Sequence, residues 1–181
     1  DAAAEKEVME NILLPTMRAM NAEGRPFKGV LYFGLMRTNE GYKVVEYNAR
    51  FGDPETQVVL PMLKTDILDI FEAVTDERLK IEWEEGACVC VVLASGGYPE
   101  KYEKGKQIEI GALDEGILLA HAGTKRENGV LKTNGGRVLG VCAKGNTVEE
   151  AREKAYRNVE KISFEGMHYR RDIGVKYNKK G

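Results

Sequence analysis

Glu46-Tyr47-Asn48-Ala49-Arg50-Phe51-Gly52-Asp53-Pro54-Glu55-Thr56-Gln57 is the stretch on which the fold turns. Residues 43–50 have the composition of a strand, and side chains along a strand alternate between two faces. Glu46, Asn48 and Arg50 then share one face, with Val45, Tyr47 and Ala49 on the other. A carboxylate and an amide oxygen on alternate residues form a compact pair of hard oxygen ligands, suited to Mg²⁺. Arg50, one step further on, is placed to hold a phosphate or carboxylate in a two-pronged grip. The same three residues also suit the wet face of an antiparallel sheet, and spacing alone leaves both readings open. Asp53-Pro54-Glu55 has the form of a helix start, with Asp as N-cap and Pro at the first helical position.

Working outward, Ala4, Val8, Ile12, Met17 and Met20 recur at near-helical spacing over residues 3–22, with Gly24 as a stop. Pro15 lies inside that pattern and is expected to kink or divide the helix. Residues 29–36 read as a strand, 38–41 as a turn and 43–50 as the antiparallel partner. Helices follow at 54–63 and 66–75. The composition turns acidic over 80–86, around the lone Trp83, and the domain boundary is set there: 1–83 and 84–181. Strands are expected at 87–94, 107–110, 117–122, 130–132 and 137–144. Thr147, with Glu150 three residues on, forms a capping box for a helix to about residue 162. The fold class is α+β, ending in a small mixed sheet with one helix.

The chain has 181 residues and a net charge of −2, so no global basic field invites nucleic acid. The basic clusters at 101–106 and at Arg170-Arg171 read as solvated loops. No apolar run approaches the roughly 20 residues needed to span a bilayer, and no signal-like N-terminus is visible. A soluble, cytoplasmic protein without membrane or nucleic-acid partners is expected. Three cysteines, Cys88, Cys90 and Cys142, are too few for a disulfide framework and wrongly spaced for zinc. Cys88 and Cys90 share one face of strand 87–94 and are expected to point into a core as inert reduced thiols. His121, at an apolar strand end, is expected to be partly buried and satisfied; neither it nor His168 sits in a motif for metal or base chemistry.

Two glycine-rich stretches remain. In Gly135-Gly136-Arg137, paired glycines let backbone N–H groups approach an anion and the arginine adds fixed charge. Asn134-Gly135 is equally a hairpin dipeptide, and from the residues alone the turn is preferred. Ser95-Gly96-Gly97 follows a strand but lacks the Lys-Ser/Thr tail of a Walker loop, and reads as structural.

The string E-Y-N-A-R-F-G-D-P-E-T-Q closely resembles the signature of the phosphoribosylamine–glycine ligase family, the glycinamide ribonucleotide synthetases of purine biosynthesis. Residues 26–36 (P-F-K-G-V-L-Y-F-G-L-M) are similar to the preceding strand of that family. L-A-S-G-G-Y-P at 93–99, H-A-G-T at 121–124, T-N-G-G-R-V-L at 133–139 and Y-R-R-D-I-G at 169–174 also match, in order. The resemblance runs from about Pro15 to Gly174.

It implies a partial ATP-grasp subdomain followed by the family's C-terminal domain. It implies Glu46 and Asn48 as ligands of Mg²⁺ or Mn²⁺, and ATP, glycine and 5-phosphoribosylamine as substrates. ATP phosphorylates the glycine carboxylate in this family, and the amine attacks the glycyl phosphate. Such transfer depends on alignment and charge neutralisation, so no nucleophile–base pair is needed. Arg50 is implied to neutralise charge on the transferred group. Gly136 and Arg137 are implied at the phosphoribosylamine phosphate, and one of Asp53 and Glu55 at a substrate amine, with helix capping equally open for Asp53.

The chain opens without an initiator Met inside a helical pattern, whereas an N-terminal domain precedes this point in the family. A C-terminal portion of a larger enzyme is therefore expected, inactive alone and needing the N-terminal half as partner. It is also expected to show apolar surface near Val8, Ile12 and Met20. The alternatives are another ATP-grasp carboxylate–amine ligase, or a folded module of either that catalyses nothing.

Overall fold

The structure, a computed structural model, describes residues 2–76 and 80–175. The chain divides into two compact units, one formed by the described residues of 1–52 and 65–81, the other by those of 53–64 and 82–181. The segment 53–64, which lies ahead of the expected cut at 83/84, folds with the second unit.

The first unit opens with helix α1 (Ala2–Val8), a π-helical turn (Met9–Leu13) and helix α2 (Leu14–Ala22). Pro15 divides the helix as its chemistry dictates. The Leu14 N–H reaches back five residues to the Met9 carbonyl, and the widened turn places Pro15 in the first turn of α2, where a missing N–H costs nothing. Strands β1 (Tyr32–Thr38) and β2 (Gly41–Asn48) form an antiparallel hairpin with one register irregularity between Gly34 and Leu35. Both strand expectations shift. Gly29 lies at φ 139°, which breaks an extended run, so β1 begins only at Tyr32. Tyr32 pairs with Asn48, and beyond it Ala49 and Arg50 have no partner strand and bend away. Helix α4 (Ile67–Asp76) is capped by Asp66, whose Oδ1 accepts the Leu68 N–H at 2.8 Å.

This unit closes almost no core. Among its described residues only Gly52 and Ile70 are buried. Val8, Ile12 and Met20 are half-buried, beside the exposed Met9 and Leu14; further exposed apolar side chains lie on the hairpin (Met36, Val45 and Tyr47, 58%, 65% and 52% exposed) and on α4 (Leu68 and Phe71).

The second unit begins with helix α3 (Thr56–Val59), which tightens into a 3₁₀ turn (Leu60–Met62). Its main sheet has the order β3 (Ala87–Ala94), β8 (Arg137–Gly145), β5 (Leu118–His121). The sheet is antiparallel throughout rather than mixed: β3 and β5 run the same way, but β8 lies between them and opposes both. Two-stranded ladders join β4 (Glu109–Ile110) to β9 (Ile162–Ser163), and β6 (Thr124–Glu127) to β7 (Val130–Thr133).

Helix α5 (Val148–Val159) starts on the expected box. Thr147 Oγ1 accepts the Glu150 N–H at 3.1 Å, while Glu150 Oε2 reaches one residue past the cap to the Asn146 N–H at 2.8 Å. The helix stops before residue 162 because Ile162 is taken up by β9, opposite Ile110. Val91, Leu93 and Val141 of the sheet pack on Ala151, Ala155 and Val159 of α5, all fully buried. Each large side chain so buried contributes about 1.5–3 kcal/mol, before entropy is set against it.

Cys90 is buried as expected, together with Cys142, while Cys88 is only partly buried. Alternation sets Cys88 and Cys90 on the face away from that core, opposite Val89 and Val91. There Cys90 pairs in register with Cys142, on the side covered by α3. The hydrogen bond that the Cys142 thiol donates to Cys90, reinforced by burial, pushes Cys142 well above its ordinary value. His121 is exposed rather than partly buried, because β5 ends there; its Nδ1 meets Thr124 Oγ1 at 3.1 Å.

Candidate functional site

The two units carry separate groups of candidate residues. In the first, Glu46 and Asn48 stand on β2 two residues apart, and Asn48 Nδ2 donates to Glu46 Oε1 at 3.0 Å. Alternation along the strand accounts for their shared face. Room for the Glu46 side chain comes from its register partner across the hairpin, Gly34. A Cβ there would stand 2.9 Å from Glu46 Cγ. Arg50 does not continue the row. It is exposed beyond the strand end, and its Nη1 donates to the Phe51 carbonyl at 3.0 Å.

Among the described residues no three His, Cys, Asp or Glu side chains cluster to form an all-protein metal cage. One carboxylate beside one amide oxygen is instead the sparse, hard donor set that Mg²⁺ accepts when water and phosphate oxygens complete its shell. The donor chemistry at Glu46 and Asn48 fits that ion.

In the second unit the loop 134–136 joins β7 to β8. It is not a hairpin: β7 pairs with β6, and β8 with β3 and β5. The I′-type hairpin is at Asn128-Gly129, with φ of 51° and 81°. Buried Ser95 holds the loop from both ends, its Oγ donating to Gly135 O and its N–H to Gly136 O, each at 2.8 Å. In a trans peptide the N–H points opposite to the carbonyl, so Ser95 turns the N–H groups of Gly136 and Arg137 away from itself. The Gly135 and Gly136 N–H groups have no acceptor among the described residues. Tyr98 packs against this loop so closely that a Cβ on Gly136 would fall 2.1 Å from its Cδ2.

Arg137, the first residue of β8, leaves this loop and grips Asp53. Its Nη1 donates to the Asp53 carbonyl at 2.8 Å and its Nη2 lies 3.3 Å from Asp53 Oδ2. Asp53 Oδ1 in turn accepts from Gln57 Nε2 at 2.7 Å. Asp53 is therefore not a helix cap. Helix α3 begins at Thr56, with Glu55 at its N-cap and no side chain capping it, because Asp53 and Pro54 lie in the turn ahead. Glu55 itself starts the helix through its carbonyl, which accepts from Val58 and Val59. Ser95, Tyr98 and Gln57 were not assigned to the site from sequence; only the position of Ser95 directly after a strand, and of Gln57 within the motif, hinted at them.

Against the Campylobacter jejuni biotin carboxylase the chain scores a TM-score of 0.59 at 13% identity, over 87% of this chain and 36% of that one, a likeness of fold alone. The family model described as "Phosphoribosylglycinamide synthetase, ATP-grasp (A) domain" matches residues 1–56, so the class is that of ATP-grasp ligases. The model of "Phosphoribosylglycinamide synthetase, C domain" matches residues 88–176. The chain belongs to the phosphoribosylglycinamide synthetase family.

The phosphoribosylamine–glycine ligase of Caldanaerobacter subterraneus is 53% identical over 176 residues, covering 94% of this chain and 42% of that protein. The crystal structure of the Thermotoga maritima phosphoribosylamine–glycine ligase aligns with a TM-score of 0.75 at 41% identity, over 86% of this chain and 39% of that one. The chain thus spans about two fifths of the curated relatives it matches, 42% of the first and 40% of another from Halalkalibacterium halodurans. Among the described residues no helix is long and apolar enough to cross a membrane.

Proposed function

We propose that this chain is the C-terminal portion of a phosphoribosylamine–glycine ligase. That enzyme joins glycine to 5-phosphoribosylamine through glycyl phosphate, with ATP going to ADP and phosphate, in the cytoplasmic route to purines. The observation that carries the reading is the side-chain pair Glu46–Asn48, a carboxylate and an amide in contact at 3.0 Å on one strand face. These two residues would hold Mg²⁺ or Mn²⁺, and the ion supplies charge neutralisation across phosphate oxygens when bound. Arg50, free of the strand ladder, binds the transferring phosphoryl group or the glycine carboxylate as the catalytic cation. Gly136 offers an unengaged N–H and Arg137 a fixed charge to the phosphate of phosphoribosylamine, and an amine of a substrate is assigned to Asp53 or Glu55.

Within the family, residues 1–83 act as the end of the main ATP-grasp subdomain and 84–181 as the C-terminal domain. The near absence of buried side chains in the first unit, beside the exposed Met36, Val45 and Tyr47, favours a further N-terminal portion as its partner. By itself the chain is expected to be a folded module without turnover, because two metal ligands without walls neither exclude water nor align ATP. The test is glycinamide ribonucleotide formation from labelled glycine, ATP and phosphoribosylamine, with and without a relative's N-terminal portion added as a separate chain. Product only with the added portion supports the reading; product from this chain alone contradicts it.

A further inference from the structure

Asp53 stands within the R-F-G-D-P-E-T-Q string and Arg137 closes the T-N-G-G-R string, 84 residues later. The guanidinium holds Asp53 through two different nitrogens, one on its carbonyl and one on its carboxylate. One N–H donor is hydrogen-bonded to the carbonyl and the carboxylate is held as an ion pair at 3.3 Å, which leaves further donors for an anion. A single ion pair would let the guanidinium swing; a grip on backbone and side chain together fixes its plane.

A second observation points the same way. Gln57 gives its Nε2 to Asp53 Oδ1, and its Oε1 is buried with no hydrogen-bond partner among the described residues. Turning the amide over would aim its oxygen at the Asp53 carboxylate, so the side chain keeps its donor on Asp53 and leaves its own acceptor unsatisfied. A buried orphan acceptor is unfavourable and calls for a compensating role. Here that role is to fix the Asp53 carboxylate.

We propose that Asp53 is a positioning residue for Arg137: held by Gln57, it locks the guanidinium and so sets the geometry with which a phosphomonoester is bound. The inference rests on the phosphate-binding reading of Arg137 given above. Charge alone predicts the opposite behaviour. A carboxylate beside an anion site repels the anion, so its removal tightens phosphate binding unless orientation dominates.

The sign of one substitution therefore decides. Ribose 5-phosphate is titrated into the full chain and followed by calorimetry, with the Arg137 Nε–H resonance as a readout of guanidinium order. For Asp53→Asn the affinity falls about tenfold and the resonance loses its dispersed position. Arg137→Lys gives a similar loss, and the double variant loses no more than either alone. Gln57→Met, which keeps the fold of α3, gives a smaller loss in the same direction. Unchanged or tighter binding by Asp53→Asn, while Arg137→Ala abolishes it, overturns the positioning role and leaves the phosphate reading intact. Full binding by Arg137→Ala, or none by the unmodified chain, overturns the phosphate reading and the proposal with it.

Discussion

Gly34 faces Glu46 across the β1–β2 hairpin, and a Cβ at Gly34 would stand only 2.9 Å from Glu46 Cγ. The position of the candidate metal-binding carboxylate is thus set as much by an absent side chain on the neighbouring strand as by Glu46 itself. Gly34→Ala is expected to push Glu46 off its present rotamer without unpairing the hairpin, since alanine is tolerated in a strand. In enzyme reconstituted with the family's N-terminal portion, the Mg²⁺ concentration for half-maximal turnover rises about tenfold while circular dichroism is unchanged. An unaltered Mg²⁺ dependence would separate Gly34 from the site.

Gly136 makes the corresponding prediction in the second unit. An added Cβ would fall 2.1 Å from Tyr98 Cδ2, so Gly136→Ala forces either the ring or the loop to move. Ribose 5-phosphate binding is expected to weaken at least as much as for loss of the Arg137 brace. Tyr98→Ala should restore part of it in the double variant, because the closest clash is then gone and only Tyr102 Cε1, at 3.1 Å, still crowds the added Cβ.

Asn158 is fully buried and satisfied at both ends of its amide. Its Nδ2 donates to Asp114 Oδ2 at 3.0 Å and Lys154 O at 2.9 Å, and its Oδ1 accepts the Asp114 N–H at 2.8 Å. Asn158→Leu leaves the Asp114 N–H without its acceptor and is expected to destabilise the second unit by about 2–3 kcal/mol in urea unfolding.

Asp114 and Glu127 give the stability its acid limb. Hydrogen bonds from Lys161, Asn158 and Arg157 hold the Asp114 carboxyl well below the usual range. Lys132 and Lys125 bring Glu127 down to about 2. Both folded values are depressed, so each contribution is complete above the unfolded value near pH 4 and is lost as pH falls through the folded value. Both carboxylates are partly solvent-exposed, which screens the effect. The melting temperature is expected to fall between about pH 4 and pH 2, and Asp114→Asn to flatten that limb while lowering the neutral-pH value by a few degrees.

Local signals were legible and distant ones were not. The β3 run of eight apolar and cysteine residues, and the Thr147 box, carry their structure in consecutive positions, and both lie where the pattern sets them. Strand β6 escaped because Thr124 to Glu127 is polar on both faces; its signal was Asn128-Gly129, while the other Asn-Gly, at 134–135, makes no hairpin. The alternation that joins Glu46 to Asn48 is a property of one strand and could be read directly. The partner of Asp53 lies 84 residues away, so local chemistry suggested a helix cap where the fold supplies an arginine.

The proposed division of labour gives Glu46 to the metal and Arg137 to the phosphate of the amine substrate. The most direct measurement is steady-state ADP release by the reconstituted enzyme, with ATP, glycine and phosphoribosylamine varied in turn for Glu46→Ala and Arg137→Ala. Glu46→Ala is predicted to lower kcat by at least about a hundredfold. Arg137→Ala is predicted to raise the KM for phosphoribosylamine about tenfold or more, with the KM for ATP unchanged. Near-normal kcat for Glu46→Ala, or an Arg137→Ala effect confined to ATP, would contradict it.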